Sequence, residues 1–89
     1  MLKPIYTRQF EKDLKRAVKR GNDITKLKSM IRLLINQEKI PQRNNDHKLL
    51  GRFQNRRECH IEPDWLLIYK IIEEKIIFER TGTHSDLFR

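Results

Sequence analysis

The chain has 89 residues, of which 20 are basic and 12 acidic, giving a formal net charge of +8 and a pI near 10.0. Charged residues make up 36% and hydrophobic ones 37%. This length excludes two separate cores, the gathering of apolar residues into periodic segments excludes a disordered chain, and no apolar run approaches the ~20 residues of a membrane span.

A single domain over residues 1–89 is therefore expected. Its charge points to a polyanionic partner, either nucleic acid or a strongly acidic protein. The plainer alternative is a basic surface that only maintains solubility.

In chain order, "LKPIY" reads as an edge strand, where Pro4 need not donate an inward hydrogen bond. Thr7 is placed to cap a helix. Phe10, Leu14, Ala17 and Val18 form its apolar stripe, with Lys12, Lys15, Arg16, Lys19 and Arg20 on the other faces, and Gly21 stops it. Asp23 caps a second helix with Ile24, Leu27, Ile31, Leu34 and Ile35 as its stripe and Pro41 at its end. The two-residue connection makes the helices antiparallel neighbours.

"PQRNNDHKLLGRFQN" reads as a loop ordered around Leu49, Leu50 and Phe53. Strand periodicity follows. "RRECHI" alternates, with Cys59 and Ile61 on one side and Glu58 and His60 on the other. "WLLIYKII", apolar on both sides, reads as a central strand. "KIIFERT" is the next strand, "EPD" and "EE" are the turns, and "GTHSDLF" ends the chain as a turn or short helical cap.

The expected fold is α+β. An N-terminal edge strand precedes two antiparallel helices packed on one face of an antiparallel sheet, which a C-terminal three-strand meander completes. The other sheet face stays open, and His60 points to it if Cys59 points to the core. Cys59 is the only cysteine, which suits a reducing compartment. "MLKPIYTRQF" lacks the apolar stretch of a signal peptide, so a cytoplasmic location is expected.

The chemistry-bearing residues are His47, His60, His84, Asp64, Arg57 and Arg80. Cleaving RNA without a metal requires a base for the 2′-hydroxyl, cations for the phosphorane and an acid for the departing 5′-oxygen. Histidine can act as either base or acid near neutrality. Arginine grips phosphate oxygens, and a carboxylate holds an imidazole in one tautomer. Each histidine also has a plain reading as a surface or hydrogen-bonded residue. Three histidines with an aspartate could bind metal, but no HxH or HExxH pattern is present, so no metal or cofactor is expected. Trp65 can stack on a base or anchor the core. Phe88 can stack on a nucleotide or pin the C-terminus.

These stretches carry a resemblance. "DHKLLG", "RRECHIEPDWLLIYK" and "FERTGTHSDLF", together with "FEKDLKRAVKRG", resemble the YafQ-type toxins of the RelE/ParE superfamily over nearly the whole chain. The resemblance implies a RelE-like fold and a ribosome-dependent, metal-independent endoribonuclease. Such an enzyme cuts mRNA in the ribosomal A site, leaving a 2′,3′-cyclic phosphate and a 5′-hydroxyl. By analogy His47, His60, Asp64 and His84 match the acid–base set. Trp65 and Phe88 match substrate-orienting aromatics, and Arg80 and Arg57 match flanking basic positions. Lys48 stands where the family often has proline. A cognate acidic antitoxin is implied as partner, with DNA engaged only through the antitoxin complex and no membrane involved. Two other classes remain as alternatives: a ParE-like topoisomerase inhibitor and a plain nucleic-acid-binding module.

Overall fold

The computed structural model describes residues 1–51 and 55–88. The elements run β1 (Lys3–Tyr6), α1 (Arg8–Lys19), α2 (Ile24–Ile35), a 3₁₀ turn (Gln42–Asn44), β2 (His47–Lys48), β3 (Arg57–Glu62), β4 (Trp65–Ile72), β5 (Lys75–Gly82) and α3 (His84–Leu87). Among the described residues no helix is long and apolar enough to cross a membrane.

The expected caps form. Thr7 Oγ1 accepts from Phe10 N at 3.0 Å, and Asp23 Oδ1 accepts from Thr25 N at 3.0 Å. Gly21, at φ +81°, adopts the left-handed conformation that ends α1 without a Cβ penalty. Phe10, Ala17, Leu27 and Leu34 are buried as the stripes require. Val18 is 56% exposed, because the buried face of α1 runs through Phe10, Asp13, Leu14 and Ala17, and Val18 falls at its rim. The second helix adds Met30 to the core and ends at Ile35, before Pro41.

The sheet has five strands in the order β1-β5-β4-β3-β2. The meander β3-β4-β5 is antiparallel, as expected. Two features differ from the sequence expectation. First, β1 pairs parallel with β5, Lys3 opposite Lys75 and Tyr6 opposite Phe78, so the sheet is mixed. The two helices carry the chain across the sheet between these strands, and such a crossover permits a parallel pair. Second, His47–Lys48 inside the expected loop form a fifth strand on β3.

The core lies between the helices and the sheet. Cys59, Trp65, Leu67, Tyr69, Ile76 and Phe78 meet Phe10, Leu27, Met30 and Leu34 there. Fully burying one such aliphatic or aromatic side chain is worth about 1.5–3 kcal/mol. On the opposite face Leu66, Ile68 and Leu87 form a second cluster with Leu49 against it. Leu49 thus packs as expected, whereas Leu50 is 87% exposed and Phe53 lies outside the described residues.

Candidate active site

The face opposite the helices gathers all three histidines. Alternation along β3 puts Cys59 in the helix-side core and Glu58 and His60 on the other side. The β2–β3 register sets His47 directly across from Glu58, and the β3–β4 register sets His60 across from Leu66. One carboxylate oxygen, Glu58 Oε2, therefore lies 3.3 Å from Nε2 of His47 and 3.3 Å from Nε2 of His60. The Glu58 side chain is buried, His60 is half-buried and His47 is more open. On the far side of His47, Nδ1 lies 2.7 Å from the Asn45 carbonyl. The Asn44 amide donates to the His60 carbonyl at 2.6 Å and secures β3 from behind.

His84 arrives from the other end of the meander. Thr83 and Asp86 form a capping box that starts α3, which places His84 at its first position. Asp64, in the β3–β4 turn, accepts from the His84 ring Nδ1 at 2.6 Å and from its backbone N–H at 2.8 Å. These two bonds and the imidazole's charge hold the Asp64 carboxyl below the usual carboxylate range. The rings of His60 and His84 lie 5.9 Å apart, those of His47 and His60 6.2 Å, and those of His84 and Phe88 6.3 Å. The face is a chain of three imidazoles in which Glu58 bridges His47 and His60 and Asp64 holds His84.

The remaining residues singled out in the sequence sit differently. Trp65 is buried in the helix-side core, and its indole N–H donates to Thr81 Oγ1 at 3.0 Å, which corresponds to the core-anchoring alternative. Arg80 is committed to Asp13, with Nε 2.8 Å from Oδ2 and Nη2 3.2 Å from Oδ1. Arg57 pairs with Asp46 at 3.1 Å, and Asp46 also accepts from the Tyr69 hydroxyl. The Asp46 hydrogen bond is the leading cause that raises the Arg57 pKa further. Phe88 is 37% exposed beside His84.

Residues 2–89 match the family described as bacterial toxin of type II toxin-antitoxin system, YafQ. The chain belongs to that family. The mRNA interferase toxin YafQ of Escherichia coli K12 is 48% identical over 84 residues, covering 93% of this chain and 91% of that protein. The crystal structure of YafQ from E. coli BL21(DE3) superposes with a TM-score of 0.95 at 43% identity, covering 100% of both chains. The E. coli DinJ-YafQ toxin-antitoxin complex gives 0.91 at 45% identity, covering 99% of this chain and 98% of that one. A metal-bound toxin from Helicobacter pylori gives 0.92 at 38% identity, covering 99% and 100%.

Three carboxylates of this YafQ-family toxin escaped the sequence-based site list. Glu58 had a signal, since alternation put it on the same side as His60. Its closeness to His47 depends on β2, which the sequence does not announce. Asp13 sits within a basic helix and reads as a surface charge, yet it is buried and accepts from Arg80, Arg16, Gln9 and the Thr81 backbone N–H. Asp86 reads as the polar end of the chain but joins α3 to Arg20, the residue that caps the end of α1, at 2.7 Å.

Proposed function

We propose that this toxin is an mRNA interferase that cuts RNA by acid–base catalysis on the open sheet face, with no metal taking part. The observation that carries the reading is the His84–Asp64 pair at 2.6 Å standing next to the His47–Glu58–His60 cluster. Asp64 fixes the Nδ1–H tautomer of His84 and stabilises its imidazolium, so Nε2 can carry a proton to a leaving group. The Glu58 carboxylate, flanked by two imidazoles, forms an accepting centre one ring away.

In the proposed reaction the ribose 2′-hydroxyl loses its proton to the Glu58–histidine centre and its oxygen attacks phosphorus. Imidazolium charge on His47 and His60 offsets the phosphorane. The bond from phosphorus to the 5′-oxygen breaks, and His84 supplies the proton that oxygen needs. The products are a 2′,3′-cyclic phosphate and a 5′-hydroxyl. Phe88 is suited to stack on a neighbouring base. Arg57 and Arg80 keep their place in the proposal as cations near the RNA path, steering charge while held by Asp46 and Asp13.

So shallow a face supplies proton-transfer groups but little grip on the chain. The ribosome supplies that orientation when mRNA lies in its A site, a contribution that reaches roughly 7–11 kcal/mol in ideal cases. An acidic antitoxin encoded with the toxin is the silencing partner in this reading, which the solved E. coli DinJ-YafQ toxin-antitoxin complex supports. A topoisomerase inhibitor would not need four proton-transfer groups on one face. The test is translation with purified ribosomes and the free toxin, followed by mapping of mRNA ends. Cyclic-phosphate ends in the A-site codon are expected. Uncut mRNA with intact toxin would overturn the reading.

A further inference from the structure

Asp46 stands immediately before β2, and His47 begins that strand. Their side chains leave opposite faces of the sheet. His47 meets Glu58 on the open face, whereas Asp46 accepts at 2.5 Å from the hydroxyl of Tyr69, a residue of the helix-side core. The same carboxylate accepts from Arg57 Nη2 at 3.1 Å and from Nε at 3.4 Å, and that Nη2 lies 3.5 Å from the Asp46 carbonyl. Asp46 is thus tied to β3 through Arg57 and to β4 through Tyr69. Burial, ahead of Asp46 itself, pushes the Tyr69 phenol above its ordinary range, so it stays a donor. Hydrogen bonds to an ionised carboxylate are stronger than neutral ones.

The strand β2 has little else to hold it. It pairs only His47 with Glu58 and Lys48 with Arg57. So short an edge strand makes few backbone bonds and opens locally at low cost. The chain enters it through Asn45, which is left-handed at φ +44°, and the Asn45 carbonyl meets His47 Nδ1 at 2.7 Å. That carbonyl only accepts, so it places the proton of a neutral His47 on Nδ1 and turns Nε2 toward Glu58. Asp46 alone separates Asn45 from His47 in the chain. Fixing Asp46 therefore fixes both the imidazole and the acceptor that orients it.

We propose that Asp46 is the positioning residue of His47, with Tyr69 and Arg57 as its anchors. It acts from the core side of the sheet and does not meet the RNA. Its effect on cleavage rests on the nuclease reading above; its effect on the His47 ring does not.

The test uses Asp46→Asn, which keeps an acceptor but loses the charge, and Tyr69→Phe, which loses only the hydroxyl. Circular dichroism melts establish that each is folded. Ring-nitrogen NMR of the free toxin should show one fixed tautomer for His47 in the wild type and averaging between the two nitrogens in both variants, with His84 unchanged. His47 signals identical in wild type and in both folded variants would overturn the proposal. On programmed ribosomes, maximal single-turnover cleavage should fall about ten- to a hundredfold in Asp46→Asn, the scale of a misplaced catalytic group, with the half-saturating toxin concentration unchanged. In a His47→Ala background the same Asp46→Asn change should alter the residual rate by no more than about twofold, because a residue that acts only through His47 has nothing left to position. The full loss persisting in that background would overturn the assignment to His47. If wild-type toxin cuts nothing, the nuclease reading fails, while the ring spectra still decide whether Asp46 positions His47.

Discussion

Asp64 Oδ1 accepts from the backbone N–H and the ring Nδ1 of the same residue, His84, at 2.8 and 2.6 Å. The first bond fixes where α3 begins, and the second fixes which way the imidazole faces. His84→Ala should lower single-turnover cleavage on programmed ribosomes by about 10²–10⁴-fold, the usual cost of losing a general acid or base, with an unchanged melt. Asp64→Asn keeps an acceptor for the backbone bond but not the charge that stabilises imidazolium, so its loss should be smaller than that of His84→Ala. The Asp64 carboxyl is held below its ordinary range, so its pairing is complete above about pH 4 and fades only as pH falls through the lower native value. A rate loss between pH 7 and 5 should therefore persist in Asp64→Asn. Its disappearance there would assign that loss to Asp64.

Asp86 makes a second clamp at the same, N-terminal end of α3. Its carboxylate takes Arg20 at 2.7 Å and the Thr83 N–H at 2.9 Å, and Arg16 lies 3.8 Å away. The Arg20 hydrogen bond, ahead of the Thr83 bonds, holds its pKa far below the usual carboxylate value. A depressed carboxylate contributes stability that is present above the unfolded pKa of about 3.9 and lost as pH falls through the native value. Asp86→Ala should cost about 0.5–2 kcal/mol at neutral pH, the range for a lost helix cap. The wild-type advantage in urea melts should shrink below pH 4. An advantage unchanged down to the lowest measurable pH would mean that the carboxylate charge is not what holds α3.

The order of elements, the helix caps and the side of the sheet that His60 faces were legible in the sequence, because each follows from local chemistry: Thr7 and Asp23 before apolar stripes, Gly21 after one, and strict alternation through Cys59. The direction of β1 was not, since a parallel partner 72 residues away leaves no local mark. Nor was β2, which is two residues long and formed only by its partner. The site followed the same division. Histidines announce themselves, whereas the carboxylates that give them roles or hold the frame, Glu58, Asp13 and Asp86, look like ordinary surface charge until tertiary pairing buries them.

The one thiol should be inert. Cys59 is fully buried on the core side of β3, and burial, ahead of the neighbouring carboxylates, pushes its pKa well above the ordinary thiol value. Thiolate is the reactive form, so an aromatic disulfide reagent at pH 8 should label native toxin only at the rate of unfolding and label urea-unfolded toxin at once. Stoichiometric labelling of native toxin within seconds would mean that β3 opens locally far below the global unfolding cost.

Trp65 and Arg80 converge on α1 through one network, and this separates a scaffold role from substrate contact. The Trp65 N–H donates to Thr81 Oγ1, that hydroxyl donates to the Leu66 carbonyl at 2.7 Å, and the Thr81 N–H and Arg80 both donate to buried Asp13. Asp13→Ala leaves the Arg80 charge and the Thr81 N–H without their acceptor and should cost about 3–5 kcal/mol, as breaking a buried pair does. Trp65→Ala should cost about 3–5 kcal/mol through the cavity it opens. Trp65→Phe keeps most of the packing and loses one hydrogen bond, so it should cost about 1–2 kcal/mol. Because the indole is 3% exposed, it has little surface left to stack on RNA. Trp65→Phe should then cut programmed mRNA within about threefold of wild type once rates are divided by the folded fraction from the melt. A fully folded Trp65→Phe toxin that has lost a hundredfold in cleavage would show instead that the ring leaves the core to meet the substrate.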